Sequence, residues 1–175
     1  MITFRLRFPE AQISYWTNRY PLGEDSVIEN QVAPRARKRG YLTRDEFLAI
    51  CRWKSPRSRP RCERNRDSFV REVTRISLST SEEEVKIRVL LLLSGVSWPT
   101  ASVILHLCDR GRYPVLDYRA LWSLRIQSPP AYDFESWAGY CDFIRAVADR
   151  TGHDIRTIDR ALWQFSKERQ LGIRR

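Results

Sequence analysis

The sequence has few of the side chains that usually hold metal ions, with four cysteines and two histidines in 175 residues. No two cysteines have the Cys-x-x-Cys spacing of zinc or iron–sulfur sites, and His106 and His153 fit no ligand pattern. We therefore expect no metal ion and no other cofactor. The cysteines are expected to be reduced and to pack as small apolar side chains.

Long apolar segments are also missing. The longest aliphatic run covers residues 89–93 and is far too short to cross a bilayer. Residues 1–10 alternate apolar and basic side chains and contain no apolar block typical of a signal peptide. These features predict a cytoplasmic protein that has no membrane partner.

Lysine is rare, with four residues against 27 arginines, and the net charge is +10. Most of the excess lies in residues 35–75, where 14 basic residues face five acidic ones. The planar guanidinium group binds phosphate through two parallel hydrogen bonds. This segment therefore predicts DNA as a partner, bound mainly through its phosphate backbone. A basic face that is merely solvated is the alternative.

Alternation of apolar and polar residues is scarce, whereas signals for helix ends are frequent, so the sequence predicts an all-α protein. Thr43 is expected to cap a helix that has an acidic first turn. Ser81 and Glu84 have the spacing of a capping box that opens another helix. Residues 32–40 and 55–61, rich in arginine and proline, are expected to be a linker and a loop.

A very tight connection joins two predicted helices at residues 94–97. Gly95 is expected to be left-handed there, and Pro99 falls in the first turn of the second helix, where proline is tolerated. The N–H groups of such a turn point outward and form an anion site that suits a DNA phosphate. An ordinary αα-hairpin has the same pattern. Four apolar residues are expected to lock the two helices together: Leu92, Val96, Ala101 and Ile104.

Three motifs in and after this hairpin resemble the helix–hairpin–helix DNA glycosylase superfamily. That family has Leu-x-Gly-hydrophobic-Gly, then Thr-Ala and, further along, Pro-Val-x-Asp. The corresponding residues here are Leu93-Ser94-Gly95-Val96-Ser97, Thr100-Ala101 and Pro114-Val115-Leu116-Asp117. The spacing from Pro99 to Asp117 also matches that between the family's lysine position and its aspartate. The resemblance implies an all-helical protein that removes damaged or modified bases from DNA.

The resemblance also implies roles for individual residues. Asp117 is the expected catalytic carboxylate, which stabilises the positive charge developing on the sugar and orients a water. Residues 46–55 are similar to the family's first barrel helix and its pocket loop. The extruded base is therefore expected to be held by Trp53, Ser55 and Tyr118. DNA phosphates are expected to contact Gly95, Val96, Ser97, Thr100, Lys54 and Arg57.

This sequence departs from the family pattern at three places. Pro99 stands where strand-cutting members have a lysine nucleophile, which excludes Schiff-base lyase chemistry through that position. Ser97 replaces the second glycine of the hairpin, and the family's cysteine cluster near the C-terminus is missing. The sequence therefore predicts a monofunctional DNA glycosylase, a base-excision hydrolase that leaves the abasic site intact. Its role would be either DNA repair or defence against modified foreign DNA.

We expect a monomer of two helical lobes with a cleft between them. Residues 43–125 are predicted to form a shortened helical barrel with the hairpin and Asp117, and residues 1–42 plus 126–175 to form the second lobe. A base flipped out of the duplex is expected to lie in a pocket between the lobes. The competing hypothesis is a non-catalytic helix–hairpin–helix DNA-binding protein, in which Asp117 only caps its helix and Trp53 is a core residue.

Overall fold

The computed structural model describes residues 2–21, 23, 25–109, 112–126 and 132–170. Every regular element in these ranges is helical and none is a strand, so the prediction of an all-α protein is confirmed. None of the helices in these ranges has the length and apolar character needed to cross a membrane.

The α-helices are labelled in chain order. They are α1 (Ile13–Asn18), α2 (Asp25–Val27), α3 (Ala33–Arg39), α4 (Arg44–Lys54), α5 (Arg59–Cys62), α6 (Asp67–Ser79), α7 (Glu83–Leu90), α8 (Trp98–Cys108), α9 (Tyr118–Ser123), α10 (Phe134–Thr151) and α11 (Ile155–Arg169). A short 3-10 turn at Glu10–Gln12 precedes α1. A second 3-10 turn at Pro56–Ser58 and a π-helical turn at Ile28–Val32 lie between later helices.

The chain folds into two units. The central unit comprises Leu22–Tyr113, and the terminal unit combines Met1–Pro21 with Pro114–Arg175. This division differs from the predicted lobes, because residues 22–42 belong with the hairpin and Asp117 belongs to the terminal unit. Packing explains the difference, since α3 packs on α8 in the central unit and α9 packs on α11 in the terminal unit.

Apolar side chains of α4, α7 and α8 form the core of the central unit. Phe47, Ile50, Ile87, Leu90 and Ile104 are fully buried there. Burying a side chain of this size stabilises a fold by about 2 kcal/mol relative to leaving it in water. This core fixes the position of the connection between α7 and α8.

Local capping decides where α4 begins. Thr43 Oγ1 accepts a hydrogen bond from Glu46 N–H at 3.4 Å, and Glu46 Oε2 accepts one from Thr43 N–H at 2.9 Å. The predicted cap is therefore confirmed, and it is a complete capping box. The predicted box at Ser81 and Glu84 is wrong, because α7 starts after Glu82 and has no side-chain cap.

Two arginine-rich segments that were expected to be irregular are helical. Residues 32–40 contain α3, whose basic last turn ends at Gly40 with a φ of +80°. Basic side chains near a helix C-terminus are favourable because they complement the helix dipole. Residues 55–61 contain a 3-10 turn and α5, since each proline there lies in the first turn of a helical element.

In the terminal unit, α1, α9 and α10 all pack against α11. The Phe165 ring on α11 lies 4.8 Å from Phe8 and 5.1 Å from Trp16, measured between ring centroids. At the end of α9, the Ser123 hydroxyl donates to the Leu162 carbonyl at 2.6 Å. The Ser123 bond thus holds the C-terminal end of α9 on α11, and the Phe165 ring packs against Phe8 and Trp16.

Gly95 lies where the turn between α7 and α8 meets α5. Its φ is +84°, so the predicted left-handed conformation is confirmed. A Cβ atom at this position would lie 2.6 Å from Cys62 Sγ and 2.9 Å from the Cys62 backbone nitrogen. Both the backbone conformation and the close approach therefore require glycine.

Replacing Gly95 with alanine is expected to lower the free energy of unfolding by about 3 kcal/mol, because left-handed backbone and overpacking against Cys62 are both penalised. Gly40→Ala is the matched control. Gly40 has a similar φ of +80° but no heavy atom within 4 Å of an added Cβ, so about 1 kcal/mol is expected there. Chemical denaturation measures both losses, and equal losses would contradict the importance of the contact with Cys62.

Candidate functional site

The turn between α7 and α8 is fixed by a buried asparagine. Asn65 Oδ1 accepts a hydrogen bond from Ser94 N–H at 2.9 Å, and Asn65 Nδ2 donates to the Ser94 carbonyl at 2.9 Å. Nδ2 also donates to the Cys62 carbonyl at 2.8 Å. One side chain thus ties the turn to α5. Asn65 was not among the predicted site residues, since nothing local to it in the sequence indicates this pairing.

The start of α8 leaves N–H groups available for a ligand. Ser97 is the N-cap, but its side chain accepts no hydrogen bond from the first turn. The N–H groups of Ser97, Trp98 and Thr100 have no acceptor among the described residues. Ser97 is exposed and Trp98 half-buried, whereas Thr100 is 1% exposed, so the first two are the N–H groups that lie at accessible residues. The Val96 N–H is already donated to the Leu93 carbonyl at 3.0 Å. The helix dipole adds positive potential here, so the geometry suits an anion.

The apolar residues of the hairpin divide between core and surface. Ala101 and Ile104 are fully buried, as predicted, and Leu90 and Leu93 are buried with them. Leu92 is 63% exposed, so the expectation that it locks the two helices is wrong. The reason is that α7 ends at Leu90, and the turn that follows directs Leu92 to solvent.

The predicted base-pocket and phosphate residues in the last turn of α4 and just after it lie at the surface of the central unit. Trp53, Lys54 and Ser55 are half-buried, and Arg57 is exposed. The Ser55 carbonyl accepts hydrogen bonds from the N–H and the hydroxyl of Ser58, at 2.9 and 2.8 Å, which shapes the 3-10 turn. Arg57, which was expected to contact a phosphate, is accessible to solvent, and Lys54 is partly accessible.

The structure brings the arginine-rich segment next to the hairpin turn. Arg61 Cβ lies 3.1 Å from the position of a Cβ at Gly95, and Arg57 and Arg61 are both exposed. Arg59 is paired with Glu63 at 2.6 Å, whereas Arg57 and Arg61 have no acidic partner among the described residues. Positive side chains and unpaired backbone N–H groups thus occur together in the central unit.

Asp117 is the N-cap of α9 in the terminal unit. Its Oδ1 accepts a hydrogen bond from Arg119 N–H at 2.9 Å, so the predicted helix start is confirmed. The three residues before it, Pro114, Val115 and Leu116, are buried. Tyr118 is half-buried, with the Arg119 guanidinium 5.1 Å from its ring centroid. The carboxylate is therefore presented at the end of a buried segment.

Two buried side chains on other helices hold that segment. Tyr140 Oη donates to the Val115 carbonyl at 2.9 Å, and the Val115 N–H donates to Asp159 Oδ2 at 3.2 Å. Tyr140 is fully buried and Asp159 is 5% exposed. Both backbone polar groups of Val115, two residues before Asp117, are thus hydrogen-bonded. Asp159 was not among the predicted site residues, and its sequence signal is an acid among apolar neighbours on one helix face.

Asp117 acts electrostatically on its surroundings. Burial is the main cause that raises the pKa of Tyr140 well above its ordinary value of 10.0, followed by Coulombic interactions with Asp159, Cys141 and Asp117. Burial and then the Asp117 charge also raise the pKa of Tyr132. The Asp117 carboxylate therefore lies in the same electrostatic environment as both tyrosine hydroxyls.

The four cysteines are buried, as predicted. Burial raises the pKa of Cys51 and raises that of Cys108 to about 12, so both are protonated thiols at neutral pH. In the ranges that the structure describes, no three cysteine, histidine or acidic side chains are grouped so that they could hold a metal ion.

No family model, curated protein or solved structure matches the chain. The functional assignment therefore depends on the residues of the hairpin and of the Asp117 segment themselves.

The hydrogen bond from Tyr140 Oη to the Val115 carbonyl makes a pH-dependent contribution to stability. Tyr140→Phe is expected to cost about 2 kcal/mol at neutral pH, because the buried Val115 carbonyl loses its donor. The folded state holds the pKa of Tyr140 above 10.0, so this contribution is complete below pH 10 and is lost as pH rises through the folded-state pKa.

Denaturation curves between pH 7 and 11.5 measure this effect. The difference between wild type and Tyr140→Phe should shrink above pH 10. Tyr15→Phe, which changes a tyrosine that is 54% exposed, is the control and should cost much less stability at pH 7 than Tyr140→Phe. A constant difference between wild type and Tyr140→Phe across this range would contradict the prediction.

Proposed function

We propose that the protein is a monofunctional DNA glycosylase, which hydrolyses the bond between a damaged or modified base and its sugar. Asp117 is the catalytic carboxylate in this proposal. Breaking the glycosidic bond creates oxocarbenium character on the sugar, and a nearby carboxylate stabilises that charge and orients the attacking water. Base release leaves an abasic site in an intact strand.

The observation that carries the proposal is the setting of Asp117. Its carboxyl is half-buried at the start of α9, and the backbone before it is bound by Tyr140 and Asp159. A preorganised carboxylate stabilises a transition state without reorganising during the reaction. Capping α9 and stabilising the sugar are compatible roles, because the capping bond itself holds the carboxyl group in one orientation.

DNA binding is assigned to the central unit. The N–H groups at the start of α8 and the exposed guanidinium groups of Arg57 and Arg61 supply donors for backbone phosphates. Such contacts position DNA without selecting a sequence. Gly95 allows the turn to approach α5, which keeps these donors in one place.

The base must leave the stack before its sugar bond can be attacked. Trp53, Ser55 and Tyr118 are half-buried, so each retains accessible surface for contact with an extruded base. An aromatic ring is suited to stacking, and the Ser55 hydroxyl is suited to hydrogen bonding at the edge of the base.

Water is the nucleophile in this proposal, because α8 has a proline in its first turn where strand-cutting members of the helix–hairpin–helix glycosylase superfamily have a lysine. Pro99 lies at the second position of α8 and carries no nucleophilic group. Cleavage of the strand should therefore require alkali or heat after base excision, and it should not accompany the enzymatic step.

The test of catalysis is Asp117→Asn on a panel of DNA duplexes carrying oxidised, deaminated or alkylated bases. Wild type is expected to produce alkali-labile sites on at least one substrate. Asp117→Asn is expected to reduce the excision rate at least ~100-fold while keeping the melting temperature, because asparagine also caps helices well.

The matched control is Asp154→Asn. Asp154 caps α11 of the same unit, where it accepts a hydrogen bond from Thr157 N–H at 2.7 Å, and its replacement should leave excision unchanged. Wild-type activity in Asp117→Asn would refute the assigned mechanism. If no substrate in the panel yields alkali-labile sites, the enzyme assignment fails, and the hairpin and the arginines then indicate a non-catalytic DNA-binding protein.

Phosphate binding is tested separately by Arg57→Ala and Arg61→Ala. Each is expected to weaken binding to undamaged duplex several-fold and to reduce the slope of log affinity against log salt by about 1. Arg19→Ala removes the same charge from the terminal unit, where Arg19 is paired with Glu168 at 2.8 Å, and should have a smaller effect. Equal effects from all three variants would show that only the net charge matters.

A further inference from the structure

The segment near the N-terminus and the end of α9 line a cavity of about 480 Å³ in the terminal unit. Arg5 N–H donates to the Leu124 carbonyl at 3.3 Å, and Arg7 N–H donates to the Ser123 carbonyl at 2.9 Å. These bonds place the N-terminal segment along the end of the helix. The cavity shares no residue with the hairpin or with the group around Asp117.

Four arginines and one acid line this cavity. Two of the arginines are already held. Arg150 Nε donates to Glu10 at 3.2 Å, and Arg7 Nε donates to the Trp122 carbonyl at 2.5 Å while its guanidinium lies 4.4 Å from the Trp122 ring centroid. Arg150 and Arg7 therefore already have partners within the protein.

Arg5 and Arg125 have no acidic partner among the described residues. With four guanidinium groups and only Glu10 to offset them, the cavity has a surplus of three positive charges. Such a concave, cationic surface attracts an anion, and the planar guanidinium group favours phosphate or carboxylate oxygens.

Arg125 occupies a backbone position that normally belongs to glycine. Its φ is +67°, and it is the only non-glycine residue with a positive φ in the described ranges. Its N–H donates to the Trp122 carbonyl and the Ile126 N–H donates to the Leu121 carbonyl, both at 3.0 Å, which is the Schellman pattern at the end of α9. A strained arginine at this site points to a function for its side chain.

The remaining walls are aromatic. Phe4 and Phe143 both line the cavity, and their ring centroids are 5.8 Å apart. The volume lies in the range that holds small organic ligands. An occupant that combines an anionic group with a flat apolar part therefore fits both the charge and the walls.

We propose that this cavity binds the phosphate of a nucleotide. Arg5 and Arg125 donate charge-assisted hydrogen bonds to the phosphate oxygens, and the aromatic wall contacts the sugar or base. The phosphate comes either from a free mononucleotide or from the 5′ end of a DNA strand. This inference does not depend on base excision.

Arg125→Gly removes the Arg125 side chain and also relieves the backbone strain at this position. Its effects on binding and on stability are therefore expected to have opposite signs. Glycine accepts a positive φ, so the melting temperature is expected to rise by about 3 °C. The affinity for a fluorescent 5′-mononucleotide is expected to fall at least tenfold in the same variant. Arg5→Ala keeps the backbone hydrogen bond of Arg5 and should also lose at least tenfold. Arg145→Ala, a change on α10 outside the cavity, should leave the affinity unchanged.

Competition distinguishes the two sources of phosphate. Displacement of the probe by a 5′-phosphorylated oligonucleotide, but not by the same strand without that phosphate, identifies a strand end as the ligand. If only free nucleotides displace it, the ligand is a mononucleotide. The proposal is overturned if wild type binds no nucleotide, if the unphosphorylated nucleoside binds equally well, or if Arg125→Gly binds like wild type. These experiments measure nucleotide binding and thermal stability and do not measure base excision. The nucleotide site and the proposed glycosylase activity can therefore fail separately.

Discussion

The two hydrogen bonds on the Val115 backbone are the constraint on which the terminal unit depends. Tyr140 on α10 and Asp159 on α11 each satisfy one polar atom of that residue in a buried setting. Removing either partner would leave an unsatisfied polar group away from water, which is costly. The bonds therefore fix the path of the chain into α9, and the orientation of Asp117 follows from that path.

In the central unit, hydrogen bonds from a buried side chain likewise fix the turn between α7 and α8. Asn65 binds both backbone atoms of Ser94, and Gly95 then lies against α5 without a side chain between them. In both places a buried polar side chain on a distant part of the chain holds a short irregular segment. The groups available to a ligand come directly after that segment, at the start of a helix.

The features that the sequence predicted correctly are local ones. The Thr43 cap, the left-handed Gly95 and the helix start at Asp117 each depend on a few neighbouring residues, so residue type and spacing suffice to predict them. The residues that were missed act through contacts far along the chain. Asn65, Tyr140 and Asp159 acquire their roles only when other helices pack beside them, and α3 is helical because it packs on α8 despite its charge. The prediction that Leu92 packs between the two helices was wrong for a related reason. Helix α7 ends at Leu90, and the turn that follows directs the Leu92 side chain to solvent.

Helix α9 is only six residues long, and both of its ends carry a residue with a proposed function. Each residue of an α-helix adds about 1.5 Å of length and about 100° of rotation. Inserting or deleting a single residue would therefore swing Arg125 to another side of the helix axis relative to Asp117. The length of α9 is thus constrained more strictly than its composition, and homologous chains should vary the residues of this helix while keeping their number.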